Sequence, residues 1–380
     1  MQDMIPVNEP VIGVRDQEYV LECLQSGWVS SAGKFIETFE STWAQYCDRQ
    51  HGVTTSSGTS ALQTALACLD LKPGDEVIIP TFTIISCALA VIYNGGTPIL
   101  VDADPETWCM NVDQIEDRIT KRTRAIMAVH IYGHPVDMDP LLQIAKKNDL
   151  AVIEDAAEAH GAEYLSGHNE KEQEWVRCGS MGTMSVFSFY ANKLVTSGEG
   201  GMIVTNDNYL ADKARNIRNL CFEPEQRFLH NDLGHNFRMT NMQAALGLAQ
   251  AERIEETVNW KRKMGQMYTE HLSDIEVIQL PIERPWSRQI YWMYGILLKK
   301  SHDLNAHDLA DKLIDLGIQT RPFFLGMHAQ PALQNLGLFQ NENYPVADHL
   351  SNNGLYIPSG LALTELQMEQ VSDALHKILT

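Results

Sequence analysis

The chain has 380 residues, of which 44% are hydrophobic and 21% charged, and this composition is typical of folded globular proteins rather than disordered or fibrous ones. A single hydrophobic core rarely grows beyond about 250 to 300 residues, so the length favours two domains. The formal net charge of −20 argues against a nucleic-acid partner, because binding a phosphate backbone requires a basic face.

The cysteines and the first residues indicate the cellular compartment in which the protein is expected to lie. Seven cysteines form no CxxC pair, so the sequence predicts no metal site and no complete disulfide framework. The start "MQDMIPVNEP" lacks the basic and apolar regions of a signal peptide, and no run reaches about 18 apolar residues. We therefore expect a cytoplasmic protein with reduced thiols and no membrane partner.

From about residue 52 the helical and strand patterns alternate. "SSGTSALQTALACLDL" predicts a helix, and "EVIIP" predicts a buried strand after the turn "KPGD". "TPILVDAD", "RAIMAVHIYG" and "AVIEDAAEAHG" continue the series as short apolar strands separated by helical or turn segments. Continuous Val/Ile/Leu runs are typical of strands buried on both faces, so we expect an α/β fold with a mixed, mainly parallel sheet covered by helices.

The second half of the chain predicts a change of architecture. Residues 165–182 are polar and without period, which indicates a surface excursion before the strand "TMSVFSF". The segment 241–272 has helical character throughout and forms a plausible bridge out of the first domain.

A second, smaller unit follows this bridge. "YWMYGILL" predicts a strand, and "NAHDLADKLIDLGIQTRP" predicts a helix that is capped by Asn305 and ended by Gly317. We expect a large domain over residues 1–255 and a smaller α+β domain over residues 256–380.

Three stretches carry groups that could do chemistry, and the first is a helix start. Ser57, Gly58 and Thr59 lie where helix amides are unpaired, so a phosphate could bind there through N–H groups and the helix dipole. The alternative is an ordinary cap, since Ser and Thr are good capping residues.

The second stretch is "AVIEDAAEAHG". Asp155 falls at the carboxyl end of a predicted buried strand, where open α/β sheets bind their ligands. A buried carboxylate there requires a cationic or hydrogen-bonding partner, although Asp155 could equally cap the following helix. Glu158 and His160 follow at spacings that place them at the same mouth or in solvent.

The third stretch is "SFYANKLVTSGEGG", which places Lys193 in a glycine-rich turn between two apolar runs. A partly desolvated lysine can have a lowered pKa and act as a Schiff-base amine, whereas the alternative is a surface lysine. Pyridoxal 5′-phosphate requires a lysine, a carboxylate for its pyridine nitrogen and a phosphate site. Lys193, Asp155 and the helix start at Gly58 together predict a site for this cofactor.

These motifs also resemble a known family over nearly the whole chain. "SSGTSAL", "PGDEVIIPTFT", "VIEDAAEAHGA", "FSFYANKLVTSGEGGMIVTND" and "GHNFRMTNMQAALGLAQ" are similar to the sugar aminotransferases of the DegT/DnrJ/EryC1/StrS group. The resemblance implies the aspartate-aminotransferase (type I) fold and a homodimer with shared active sites. It further implies that L-glutamate gives its amino group to a 4-keto-6-deoxy sugar nucleotide and leaves as 2-oxoglutarate.

The resemblance also implies a substrate and residue roles. GDP-4-keto-6-deoxy-D-mannose is favoured over UDP- or dTDP-linked sugars, with GDP-perosamine as the product, which points to O-antigen and lipopolysaccharide biosynthesis. Lys193 would hold the cofactor and move the proton, Asp155 would pair with the pyridine nitrogen, and Glu158 would lie near the 3′-oxygen. The full set of implied cofactor positions is Ser57, Gly58, Thr59, Ile84, Asp155, Glu158, Ser188, Lys193 and Asn236, where Asn236 reaches the neighbouring subunit's site. Arg321 and His328 match positions near the sugar nucleotide.

The chain departs from the family pattern at two places. Ile84 stands where relatives carry an aromatic ring, so a stacking contribution of roughly 0.5 to 1.5 kcal/mol is lost. The excursion at 168–177 is longer than usual, which leaves loop contacts to the sugar nucleotide open.

Three other functions are alternatives to this interpretation. A cofactor-dependent 3-dehydratase would carry histidine at the position of Lys193. A binding protein with an inactive domain should have lost Lys193 or Asp155. A dinucleotide-dependent reductase would need a GxGxxG loop after a strand, which the sequence does not contain.

Overall fold

The computed structural model describes residues 4–223, 225–226, 228–299 and 303–380. The α-helices are α1 (Val14–Ser26), α2 (Lys34–Tyr46), α3 (Gly58–Ala67), α4 (Ser86–Tyr93), α5 (Ile115–Arg118), α6 (Met138–Lys147), α7 (Asn208–Arg218), α8 (Asn241–Ala251), α9 (Ile254–Leu272), α10 (Ala306–Asp315), α11 (Pro331–Gln334), α12 (Pro345–Asn353) and α13 (Glu365–Leu379). The strands are β1 (His51–Thr55), β2 (Glu76–Pro80), β3 (Thr97–Val101), β4 (Thr123–Val129), β5 (Ala151–Asp155), β6 (Glu163–Ser166), β7 (Glu174–Arg177), β8 (Met184–Ser188), β9 (Gly201–Thr205), β10 (Ile278–Gln279), β11 (Ser287–Arg288), β12 (Tyr294–Leu298), β13 (Arg321–Pro322) and β14 (Gly354–Ile357).

A seven-stranded sheet with the order β1-β9-β8-β5-β4-β2-β3 forms the centre of the fold. Strands β8, β5, β4, β2 and β3 run parallel to their neighbours in that order, and β9 is antiparallel to both β8 and β1. The prediction of a mixed, mainly parallel α/β sheet is therefore confirmed. Because β5 and β8 are adjacent and parallel, their last residues, Asp155 and Ser188, lie at the same edge.

A second sheet with the order β10-β12-β14-β13 has its own hydrophobic cluster. Helix α9 contributes Met264, Tyr268 and Leu272 to this cluster, and Ile5 from the beginning of the chain joins them. The predicted division after residue 255 stays a prediction, and Ile5 shows that the N-terminal segment packs on the smaller cluster.

Two local expectations need refinement. The polar segment 165–182 contains part of an antiparallel hairpin, because β6 pairs with β7 on one side and with β11 on the other in a three-stranded sheet. The segment 241–272 is two helices, since Arg253 leaves the helical conformation with φ −116° and ψ 17°. Neither a glycine nor a proline marks this break. The cap at Asn305 is confirmed, since its side chain accepts the amide of Asp308 at 3.0 Å.

A helix that crosses a lipid bilayer has to be long and apolar. In the part of the chain that the structure describes, no helix combines the length and the apolar composition needed to cross a membrane.

Candidate active site

A cavity of about 310 Å³ opens at the edge of the sheet where β5 and β8 end. Eight of the residues singled out from the sequence line it: Ser57, Gly58, Thr59, Ile84, Asp155, Glu158, Ser188 and Lys193. Its other lining residues include Ser86, Tyr190, Asn192, Trp292, Phe324 and Tyr356. The three stretches that the sequence analysis considered separately therefore meet in one place.

The N-terminus of α3 forms one end of this cavity. Ser57 accepts the amide of Ser60 at 3.1 Å, and the hydroxyl of Ser60 accepts the amide of Ser57 at 2.9 Å. This reciprocal cap leaves the first-turn amides of Gly58 and Thr59 without intrahelical acceptors. Ser57 therefore caps α3 and, with Gly58 and Thr59, also lines the cavity, so its role in cofactor binding stays a prediction.

Gly58 is required by a close approach between α3 and the end of β8. A Cβ added at this position would lie 2.6 Å from the Cβ of Ser188. A contact that short forces a shift of the backbone, so only glycine lets the helix start and the Ser188 hydroxyl share one small space. Thr59 meets the start of α4 as well, through a hydrogen bond of 2.8 Å between its hydroxyl and that of Ser86.

Lys193 reaches into the cavity from the turn after β8. Its side chain is 10% exposed, and its Nζ lies 3.5 Å from Oε1 of Glu158. The same nitrogen lies 3.7 Å from the centre of the Trp292 ring. Burial lowers the pKa of Lys193, while Glu158 and Asp155 act in the opposite direction. The turn therefore holds a desolvated amine, as its glycine-rich sequence predicts.

Asp155 ends β5 and is 4% exposed. Its Oδ1 accepts the amide of Ala157 at 3.1 Å, and its Oδ2 accepts the thiol of Cys87 at 3.5 Å. Burial raises the pKa of Asp155, and the Ala157 amide and Lys193 offset part of that rise. A thiol is a weak donor, so Oδ2 can still take a stronger cationic partner.

Glu154, one residue earlier on β5, shows what a purely structural carboxylate looks like. It points to the opposite face of the strand and accepts hydrogen bonds from His130, the amide of Gly182 and the hydroxyl of Ser185, each at 2.9 Å. Burial opposes ionisation, but these donors lower the pKa of Glu154 to about 2. Its acceptor capacity is used inside the protein, whereas that of Asp155 faces the cavity.

Glu158 is held by a strained segment. Its Oε2 accepts the amide of Tyr132 at 2.8 Å, and Tyr132 adopts a φ of 52° that non-glycine residues rarely adopt. Burial raises the pKa of Glu158, which Lys193 and the Tyr132 amide counteract. His160 lies behind the site, where its Nδ1 accepts the amide of Val195 and burial lowers its pKa to about 3.

Three of the predicted residues do not line the cavity. Asn236 is exposed, and its backbone forms an isolated antiparallel β-bridge with that of Asn219. Arg321 is exposed on β13, directly opposite Tyr356, which places it near the rim. His328 is tied to the hydroxyl of Thr81 at 2.9 Å and to Asp348 at 3.0 Å.

The sequence analysis missed the aromatic wall of the site. Trp292, Phe324 and Tyr356 come from three segments of the second half of the chain and line the same cavity, and Trp292 lies against Lys193. "YWMYGILL" predicts a strand, but nothing in its pattern shows that Trp292 precedes β12 and turns towards Lys193. Ser86 was missed because its hydroxyl acts through Thr59, 27 residues earlier.

This chain is similar to known proteins of one aminotransferase family. The model of the DegT/DnrJ/EryC1/StrS aminotransferase family matches residues 10–376. GDP-perosamine synthase of Caulobacter vibrioides is 39% identical over 99% of this chain and 98% of that protein. GDP-perosamine synthase of Escherichia coli O157:H7 is 38% identical over 98% of both.

Solved structures also resemble this chain over nearly its whole length. The X-ray structure of DesV from S. venezuelae, in complex with a ketimine intermediate, has a TM-score of 0.86 and 32% identity. The similarity covers 96% of this chain and 94% of DesV. The aminotransferase from Psychrobacter cryohalolentis has a TM-score of 0.88 at 29% identity, covering 99% and 98% of the two chains.

Proposed function

Because the chain belongs to the DegT/DnrJ/EryC1/StrS aminotransferase family, we propose that it transfers the amino group of L-glutamate to a GDP-linked 4-keto-6-deoxy sugar. The substrate is GDP-4-keto-6-deoxy-D-mannose and the product GDP-perosamine, a precursor for O-antigen and lipopolysaccharide. Relatives named GDP-perosamine synthase, 34 to 39% identical over nearly their full length, support this choice. The single structural observation that carries the activity is the buried Lys193 amine beside two carboxylates.

The cofactor is pyridoxal 5′-phosphate, as in the family, and the residues present fit it. Because Gly58 has no Cβ, the N-terminus of α3 approaches Ser188 closely, so the unpaired α3 amides and the Ser188 hydroxyl can bind one phosphate together. Oδ2 of Asp155, whose only hydrogen-bond donor in the described structure is the Cys87 thiol, suits a protonated ring nitrogen. When bound, the cofactor supplies the aldehyde that carries the amino group and a ring that delocalises electrons from the substrate carbon.

The chain's own residues would hold the cofactor, move the proton and bind the phosphate. Lys193 would hold the cofactor, and its amine, once released, would move a proton between the substrate carbon and the cofactor in each half of the reaction. Burial lowers the pKa of Lys193, which favours the neutral amine that a base requires. Gly58, Thr59 and Ser188 hold the phosphate, and Ile84, which is 42% exposed in this chain, covers the ring by apolar contact.

Lys193 also separates this function from dehydration. The related 3-dehydratases are expected to carry histidine at that position, and histidine cannot hold the cofactor covalently. This chain has lysine, so the nitrogen is added to the sugar instead of oxygen being removed.

The assembly belongs to the same proposal. We propose a cytoplasmic homodimer with a boundary between its two domains after residue 255. Asn236 of each protomer reaches the phosphate in the other protomer's site, and Arg321 and His328 contact the sugar nucleotide. The exposure of Asn236 outside its own cavity supports a role across the dimer.

The amine-transfer function is tested with Lys193→Ala. This variant should lose both the absorbance of the cofactor bound covalently to the lysine and all turnover with glutamate. Lys147→Ala is the matched control, because Lys147 lies exposed on α6 and pairs only with Glu116 in the described structure. A Lys193→Ala protein that still transfers the amino group would refute the proposal.

The substrate is tested separately by mass spectrometry. Glutamate-dependent amine transfer should be fastest with a GDP-linked 4-keto-6-deoxy sugar, compared with its UDP- and dTDP-linked counterparts. A preference for UDP or dTDP would overturn the perosamine assignment and leave the aminotransferase activity in place.

A further inference from the structure

The indole ring of Trp292 lies directly against the amine of Lys193. The ring centre is 3.7 Å from Nζ, well inside the distance of about 6 Å at which a cation is attracted to the face of tryptophan. Trp292 is buried and lines the cavity, so the attraction acts in a poorly solvated place where it is strong.

One hydrogen bond fixes the Trp292 ring, and a second holds its main chain. The indole Nε1 donates to the carbonyl of Asn192 at 2.9 Å, which ties the ring to the residue beside Lys193. The carbonyl of Trp292 accepts a hydrogen bond from Nζ of Lys261 at 3.2 Å. Lys261 also donates to the carbonyl of Ser359, so one amine holds two segments together.

Lys261 can hold these two carbonyls because its amine is buried away from solvent. Its residue is 1% exposed, and burial alone lowers its pKa to about 7. A neutral lysine amine still has two N–H donors, enough for the two carbonyls. The anchor therefore holds Trp292 in either protonation state.

The other groups that act on Lys193 differ from the ring in one respect. Asp155 and Glu158 attract its positive charge, and His160 interacts with it from behind. A carboxylate can take the proton that it attracts, whereas the indole ring has no acceptor for one. Trp292 thus stabilises the charge without competing for the proton.

We propose that Trp292 is an active-site residue that stabilises positive charge on the Lys193 nitrogen, and that Lys261 is a positioning residue that acts through Trp292. This inference rests on the proposed role of Lys193 in holding the cofactor.

The test is a pH titration of the absorbance of the bound cofactor in the holoenzyme, which reports protonation at the Lys193 nitrogen. Trp292→Leu should lower the midpoint by about one pH unit, and Trp292→Phe by less, because phenylalanine keeps a weaker ring face. Trp175→Leu is the matched control. Its ring lies 3.9 Å from the guanidinium of Arg288, outside the cavity, and its loss should leave the midpoint unchanged.

Lys261 is tested by a double-mutant cycle. Lys261→Met alone should lower the midpoint, and the same change should add nothing in the Trp292→Leu background.

The outcomes separate the inference from the function on which it rests. Equal midpoints in the wild type and both Trp292 variants overturn the role of the ring. If Trp292→Leu does not fold, a Trp292→Phe midpoint at or above the wild-type value does the same. An additive effect of Lys261→Met overturns its action through Trp292. A wild-type protein without cofactor absorbance would refute the proposed function itself.

Discussion

Lys261 allows a quantitative prediction about stability. Its amine is buried in α9 and donates only to carbonyls in the described structure, and its pKa falls from 10.5 to about 7. The unfolded chain binds its proton up to about pH 10.5, whereas the folded protein releases it near pH 7. Between these limits the unfolded state binds more protons, so the free energy of unfolding rises with pH.

The magnitude follows from the pKa difference. At about 1.4 kcal/mol for each pH unit, the fall from 10.5 to about 7 corresponds to a cost on the order of 5 kcal/mol. This cost is fully present below pH 7 and is gone above pH 10.5. Lys261→Met, which keeps the length of the side chain, removes the group that causes it.

Urea denaturation of the wild type and Lys261→Met at pH 7, 8 and 9 measures the effect. The free energy of unfolding of the wild type, relative to the variant, should rise by about 1 kcal/mol for each pH unit. Lys263→Met on the same helix is the control, since Lys263 is exposed and pairs with Glu365, and its difference should stay flat. Parallel pH curves for the wild type and Lys261→Met would refute the assigned burial cost.

Three further outcomes test the cofactor site and the dimer. Gly58→Ala should weaken cofactor binding in an absorbance titration by tenfold or more, on the order of 1.4 kcal/mol, because its Cβ meets Ser188; unchanged affinity would contradict the phosphate cradle. Ile84→Tyr should tighten cofactor binding by about two- to tenfold by restoring a stacking ring. Lys193→Ala and Asn236→Ala protomers, inactive alone, should regain about a quarter of wild-type activity when mixed, because half of the dimers then contain one complete site. Inactive mixtures with proven subunit exchange would contradict shared sites.

The part of the site that lies on the large sheet follows from local sequence rules. Asp155 and Ser188 end neighbouring parallel strands, so their meeting at one edge is a property of the sheet. The helix start at Gly58 and the turn at Lys193 carry their own local signals in capping residues and glycines. These elements could be predicted because each depends on a few consecutive residues.

The wall made by the second half of the chain could not be predicted in this way. Trp292 lies about 100 residues after Lys193, and its position depends on how the smaller sheet packs on the larger one. Tyr291, just before it, adopts a φ of 47°, although a positive φ is usually found at glycine or asparagine. The hydrogen bond from Lys261 could not be predicted from the sequence either, since a lysine in a charged helix is ordinarily exposed.

The charges in the cavity explain why these parts belong together. Lys193 carries at most one positive charge, whereas Asp155 and Glu158 together can carry two negative charges. Burial raises the pKa of both carboxyls, while Lys193 lowers it. A protonated ring nitrogen held by Asp155 would add a second positive charge to the site, and in that form the ring would act as an electron sink. Asp155 would therefore favour the charged form of the cofactor on which the proposed transfer depends.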